Sequence, residues 1–260
     1  MKYIRLVQVT DIHLLENSED EIYGVNPEKA FREVISHAVS PAVNPDFIVA
    51  TGDLSEDGSH SAYSRLQAIF GEMNIPAFVL PGNHDSVKNM QESLVNLTIK
   101  MEQVTEIGGW VIIFLNSQVE GRAYGIVDSE SLLKLEDTLN TIDEKPCLVA
   151  LHHSPISGCV SNSCQLKNRQ EFLTTIDKHE NVKAVISGHT HWSLEKSCPG
   201  FELLTTPSTF LHITHPQEGE SENPDDFMKS HSFDSNKRGY RVIDLFPNGD
   251  LVSEVCWVPI

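Results

Sequence analysis

A chain of 260 residues, 40% hydrophobic and 22% charged, is long enough to bury one substantial core and too apolar to be disordered throughout. Its 37 acidic and 19 basic residues give a formal charge of −18, a field that repels DNA and RNA at long range and disfavours a nucleic-acid partner. No secretory leader and no run near the ~20 apolar residues of a membrane helix is visible, and five cysteines without CxxC spacing fit reduced core thiols in a cytoplasmic protein with no membrane partner.

Short β-rich runs alternate with helical ones. Tyr3–Val9 reads as a strand and Pro27–Val39 as a helix, with Asn26 as N-cap and Pro27 at its first position. Phe47–Ala50 is a buried strand, Ser61–Phe70 a helix, Ala77–Leu80 a strand and Trp110–Leu115 another. Ser129–Leu139 is helical, Cys147–Leu151 extended, Arg169–Lys178 helical and Val182–Ile186 extended. The pattern then changes. Phe201–Leu204, Tyr240–Phe246 and Leu251–Trp257 read as strands without intervening helices, and Pro247-Asn248-Gly249 marks the last turn. The expectation is one α/β domain over residues 1–260, with its sheets covered by helices. The polar stretch His212–Arg238 reads as a loop or flap with no periodicity of its own.

Five of these strands end in Asp, Asn or His. They run into Asp11-Ile12-His13, Gly52-Asp53, Gly82-Asn83-His84-Asp85, His152-His153 and Gly188-His189-Thr190-His191. Ligands of open α/β sheets bind beyond the carboxyl ends of the strands, so the tips can meet at one site. The i, i+2 spacings of Asp11/His13 and His189/His191 put each pair on one side of an extended segment. Imidazole and carboxylate suit Zn, Fe or Mn, and no cysteine cluster points to structural zinc. Seven candidate ligands exceed one tetrahedral ion and match two ions sharing a carboxylate. Isolated histidines such as His37, His60 and His179 receive no role.

DIH, GDLSEDG, GNHD, HH and GHTH, in this order, resemble the calcineurin-like metallophosphoesterase family over nearly the whole chain. YGVN at Tyr23–Asn26, TPST at Thr206–Thr209 and GYR at Gly239–Arg241 resemble its class III cyclic nucleotide phosphodiesterases. The resemblance implies a two-sheet αββα sandwich and two divalent metal ions. It assigns Asp11, His13 and His191 to the first ion, Asn83, His152 and His189 to the second, and Asp53 to both. His84 becomes the catalytic histidine, and Asn83, His84 and His191 the substrate-facing residues. His153 is structural or supports a neighbouring ligand, and Glu56 and Asp57 are candidates to orient His84. The sequence departs from the family pattern at Ser154, where proline is frequent, and at Asn116-Ser117, where Asp-Ser is frequent.

The implied reaction is hydrolysis of a small phosphodiester, 3′,5′-cyclic AMP first, by a water activated at the metals. Glycerophosphodiesters and 2′,3′-cyclic nucleotides are the nearest alternative substrates. A metal-binding interaction module without catalysis is the alternative from another class. A homodimer is compatible with this reading.

Overall fold

The computed structural model describes residues 3–95, 98–157, 164–213 and 233–259. The first half builds β1 (Ile4–Val9), α1 (Pro27–Ala38), β2 (Phe47–Thr51), α2 (His60–Met73), β3 (Ala77–Leu80), α3 (Val87–Ser93) and β4 (Ile99–Lys100). Next come β5 (Val104–Ile107), β6 (Trp110–Phe114), α4 (Ser129–Thr141), β7 (Cys147–Ala150), α5 (Arg169–Ile176) and β8 (Val182–Ser187). The chain continues through β9 (Leu194–Cys198), β10 (Phe201–Thr205), β11 (His212–Ile213), β12 (Phe233–Asp234), β13 (Arg238–Leu245) and β14 (Leu251–Val258).

Two six-stranded sheets result, ordered β14-β13-β1-β2-β3-β4 and β5-β6-β7-β8-β10-β9. In the first, β1 to β4 run parallel and the β13–β14 hairpin adds antiparallel strands. In the second, β6, β7, β8 and β10 run parallel between antiparallel edges. Alternation along β2 shows why the sheets stack. Phe47 and Val49 face the inter-sheet core with Leu6, Trp110, Ile112, Leu148 and Ile186. Ile48 and Ala50 face the opposite way, into a core with Phe31, Val34, Leu66 and Phe70 of α1 and α2. On the far side, Val149 and Val185 pack with Leu132 and Leu135 of α4 and Phe172 of α5. Strands buried on both faces read as unbroken apolar runs, which is why they are recognisable in the sequence. Helix, sheet, sheet, helix is the expected sandwich.

The sequence reading passes over α3, β4, β5, β9, β11 and β12. Helix α3 has one buried residue, Met90, so it carries no apolar stripe. Strand β9 is exposed at its centre, so it lacks alternation. At the expected flap, residues 214–232 lie outside the described residues. The flanking pieces are not irregular: Ile213 pairs with Phe233 and His212 with Asp234. Among the described residues, no helix is long and apolar enough to cross a membrane.

Candidate metal centre

The tips of β1, β2 and β3 leave the first sheet, and those of β7 and β8 leave the second, at the same end of the sandwich. Backbone bonds stitch the tips together. Asp11 N–H donates to Gly52 O at 3.0 Å, and Ile12 and His13 N–H both donate to Asp53 O, at 2.8 and 2.9 Å. The Asp11 carboxylate accepts from His189 N–H at 3.0 Å, which ties the second sheet to the first. A Cβ on Gly188 would strike Thr10 Oγ1 and Asp11 Oδ2; glycine is needed there for close approach.

The expectation of extended Asp11/His13 and His189/His191 segments is corrected here. Asp11, His13, Asp53, His189 and His191 have φ of 51, 53, 48, 69 and 60°. Left-handed backbone at a non-glycine residue is unfavourable and persists where surrounding contacts impose it. Each pair still points into one cluster, but turning of the backbone puts it there rather than strand alternation.

The seven side chains meet. His13 Nε2 lies 3.2 Å from His191 Nε2 and 3.7 Å from Asp53 Oδ2. His191 Nε2 is 3.4 Å from Asp11 Oδ1. The same Asp53 Oδ2 is 3.3 Å from His152 Nε2, which is 3.2 Å from Asn83 Oδ1. The His189 ring stands 5.0 Å from the His152 ring. Asp53 therefore sits between the two halves.

The outer nitrogens test whether cations fit. His152 Nδ1 donates to Thr51 O at 2.7 Å and His191 Nδ1 to Leu211 O at 3.1 Å. His13 Nδ1 is 2.6 Å from Glu56 Oε2, and His189 Nε2 donates to Cys164 O at 2.8 Å. Carbonyls and carboxylates can only accept, so each bonded nitrogen carries a proton and the inward one is left to bind a cation or, beside Asp53, a second proton. The inward atoms are then Nε2 of His13, His152 and His191, and Nδ1 of His189. Lone pairs facing one another among two carboxylates repel unless a cation or a proton lies between them. Locking the outer nitrogen on an acceptor is also what metal-bound histidines do. Groups such as Asp11/His13/His191 and Asp11/Asp53/His152 bring their donor atoms close enough to share an ion. The residues fit divalent cations.

Charge within the cluster is uneven. Burial opposes ionisation of Asp53, yet His152, His13 and His84 hold it well below the usual carboxylate range. Burial likewise opposes a charged His152, but Asp53 carries it up to about 9. His13 rises despite burial because Glu56 and Asp53 adjoin it. His189 and His191 fall to about 4, through burial first and then neighbouring histidines, with Asp11 and Asp53 opposing. They are neutral at pH 7 and free to donate electron pairs.

His84 stands at the rim. Its N–H donates to Asp53 Oδ1 at 2.9 Å. Its Nδ1 is 3.2 Å from Glu56 O and 3.3 Å from Glu56 Oε2. Glu56 therefore orients His84, and His13 with it. Asp57 does not. Its carboxylate accepts from Glu16 N–H at 2.7 Å, Ser59 N–H at 3.0 Å and Ser55 Oγ at 3.0 Å, which shapes the loop. His153 is fully buried and 2.8 Å from Ser117 Oγ through Nδ1; its Nε2 has no hydrogen-bond partner among the described residues. Its ring lies 4.6 Å from that of His189. Asn116 Oδ1 accepts from Gln118 N–H at 2.8 Å and bonds none of the cluster residues.

Asp85 escapes the sequence reading. It is buried and accepts from the N–H groups of Leu54, Ser55 and Gly82 at 3.1, 3.0 and 2.8 Å, and from Tyr63 OH at 2.9 Å. These bonds clamp the loop after Asp53 to the turn before Asn83. Burial and nearby Asp53 raise its pKa to about 6, against its backbone hydrogen bonds. Its signal was its place beside His84 in GNHD, which gave no hint of its partners.

A family model for calcineurin-like phosphoesterases matches residues 4–193. The chain is 32% identical over 256 residues to the 3′,5′-cyclic adenosine monophosphate phosphodiesterase CpdA of Escherichia coli, covering 97% of this chain and 89% of that protein. It is 30% identical to the CpdA of Vibrio vulnificus, with coverages of 97% and 89%. It is also 30% identical to a 3′,5′-cyclic-nucleotide phosphodiesterase of Nostoc, with coverages of 98% and 93%. Among solved structures, a dimetal phosphatase from Danio rerio superposes with a TM-score of 0.61 at 14% identity, covering 98% of both chains. GAP50, an inner-membrane-complex anchor of Plasmodium, superposes with a TM-score of 0.64 at 16% identity, covering 99% of this chain and 89% of that one. A phosphatase and an anchor share this sandwich, so fold alone does not settle activity.

Proposed function

The chain belongs to the calcineurin-like phosphoesterase family, and from that premise we propose that it hydrolyses 3′,5′-cyclic AMP at a centre of two divalent ions. In this reading Asp11, His13 and His191 hold one ion, Asn83, His152 and His189 the other, and Asp53 joins them. The ions would be Fe, Mn or Zn, which suit imidazole and carboxylate donors. The observation that carries the reading is the shared approach of His13 and His152 to one Asp53 oxygen, 3.7 and 3.3 Å away, with the outer nitrogen of each ring bonded. The substrate rests on relatives named for cyclic AMP that are 30–32% identical over nearly the whole chain.

When bound, the ions supply Lewis-acid neutralisation of phosphate oxygens and lower the pKa of water. The protein does the rest. Thr51 O, Leu211 O, Cys164 O and Glu56 fix four histidine rings before substrate arrives. That preorganisation avoids reorientation during reaction. Asn83 and His191 line the substrate side of the cluster. His84 is the one cluster histidine substantially exposed. With Nδ1–H directed at Glu56, the ring delivers a proton from Nε2 to the departing alkoxide in its imidazolium form, the role of a general acid.

The test is a substrate panel on purified chain reconstituted with Mn, Fe or Zn. It contains cyclic AMP, cyclic GMP, 2′,3′-cyclic AMP, glycerophosphocholine and bis(p-nitrophenyl) phosphate. The expected result is the highest kcat/KM on cyclic AMP. A preference for glycerophosphocholine overturns the substrate assignment. Metal-loaded protein that hydrolyses nothing in the panel overturns the enzymatic reading in favour of an interaction module.

A further inference from the structure

Tyr23 is 61% exposed, although an aromatic ring gains most by burial. It occupies a two-residue hairpin turn. Ile22 N–H donates to Val25 O at 2.9 Å and Val25 N–H to Ile22 O at 3.0 Å. Tyr23 and Gly24 both have positive φ, 51 and 77°. Such turns favour Asn, Asp or Gly at both central positions. A tyrosine there is backbone strain without the burial that would offset it. Strain of this kind, once observed, invites a functional explanation.

The surroundings of the ring supply one. One face of Tyr23 stacks on Phe233, with centroids 4.7 Å apart and planes 19° from parallel. Phe233 packs with Ile22 and Val25 against a small buried cluster of Ala30, Phe210 and Leu211. Phe210 in turn lies 5.2 Å from the His13 ring and 6.0 Å from the His191 ring. Ser208 Oγ donates to Asp11 O at 2.8 Å and so pins this segment to the metal edge. A packed run of side chains therefore leads from His13 to Phe210, 5.2 Å away, through the apolar cluster that Phe233 joins, to Tyr23, 4.7 Å from Phe233.

We propose that Tyr23, backed by Phe233, is the stacking platform for the substrate's nucleobase and sets the preference for nucleotides over alkyl phosphodiesters. The proposal rests on the cyclic nucleotide reading above. Its chemistry suits a chain of charge −18. Repulsion of an anionic substrate is offset at the phosphate by cations, and stacking adds affinity without charge. Because any base offers a π-face, the platform selects the presence of a base rather than its identity.

The experiment compares Tyr23→Ala, Tyr23→Phe and Tyr23→Trp with the parent chain, all metal-loaded. Tyr23→Ala is expected to raise KM for cyclic AMP about tenfold or more, the loss typical of one stacked base. Its kcat and its hydrolysis of glycerophosphocholine stay within about twofold, and Tyr23→Phe keeps the parent KM. An unchanged KM, or an equal loss on glycerophosphocholine, overturns the proposal. Tyr23→Trp gives a readout that needs no turnover. Adenosine 5′-monophosphate should quench its added fluorescence and ribose 5-phosphate should not. Equal response to the two ligands, or none to either, overturns the platform. If the parent chain fails to hydrolyse cyclic AMP while base-dependent quenching persists, the substrate assignment fails and the platform stands.

Discussion

The helical faces of the sandwich and its carboxyl edge obey different rules. On the faces, local preference and tertiary structure agree. Helix α1 begins at Asn26, whose side chain accepts from Lys29 N–H at 2.9 Å, and buries Ala30, Phe31, Val34, Ile35 and Ala38 on one stripe. Helix α4 begins at Asp128, which accepts from Ser131 N–H at 2.7 Å, and buries Leu132, Leu135 and Leu139. At the edge, preference is overridden. Five non-glycine residues adopt left-handed backbone, and Asp11, Asp53, Asp85, His152 and His153 are buried. Natural chains depart from local consistency where function requires it. The contrast locates the site independently of any motif.

The contrast breaks most severely at Asp53. Asp53→Ala removes the carboxylate shared by both halves of the cluster. Bound metal should fall below about one ion per chain, and activity by about 10⁴-fold or more, as several kcal/mol of charge stabilisation leave with the ions. Asn83→Ala should empty mainly the second position. Elemental analysis beside kinetics checks both, and an Asp53→Ala protein with full metal content contradicts the shared-ligand reading.

Next in size is His84. It stands outside the proposed metal-binding seven, so His84→Ala should keep its ions and lose on the order of 10²–10⁴-fold in kcat, the range of a general acid–base group. Metal loss in parallel with activity would place His84 among the ligands instead.

Asp85 tests whether the edge depends on its scaffold. Asp85→Ala leaves three backbone donors and the Tyr63 hydroxyl without their acceptor, so unfolding free energy should drop by about 2–4 kcal/mol. Metal affinity should weaken as well, because the loops bearing Asp53 and Asn83 lose their clamp. Urea denaturation and metal titration read the two effects; a stable variant with weakened metal binding would separate scaffold from fold.

The smallest effect belongs to the helical faces. Asp128→Ala should cost about 1 kcal/mol, typical of a lost N-cap, and leave activity unchanged. The Ser131 N–H holds the Asp128 carboxyl below its usual value. Its contribution is therefore present above the unfolded pKa near 4 and disappears as pH falls through the lower folded value. The stability difference between parent and Asp128→Ala should accordingly narrow only below about pH 4. A difference that persists unchanged to pH 2 would assign the cap another origin.

The sequence by itself determined the sandwich's buried strands, the caps at Asn26 and Pro27, and the seven residues that meet at the edge. These features were legible because they are local: apolar runs for doubly buried strands, capping residues beside helical stripes, and polar residues just past strand ends. Short α3 and the strands β4, β5 and β9 were not legible, since they bury too little to impose a period. Tertiary structure alone decided how the tips converge. Asp11 and His13 face one cluster through left-handed backbone, held by bonds to Gly52 O and Asp53 O some 40 positions away. Nor could sequence show that Glu56 serves His84 while Asp57 shapes its own loop, or that Asp85 gathers donors from the loops after β2 and β3 and from α2. Those assignments depend on distances between segments remote in the chain, and only closure of the two sheets around their common core sets them.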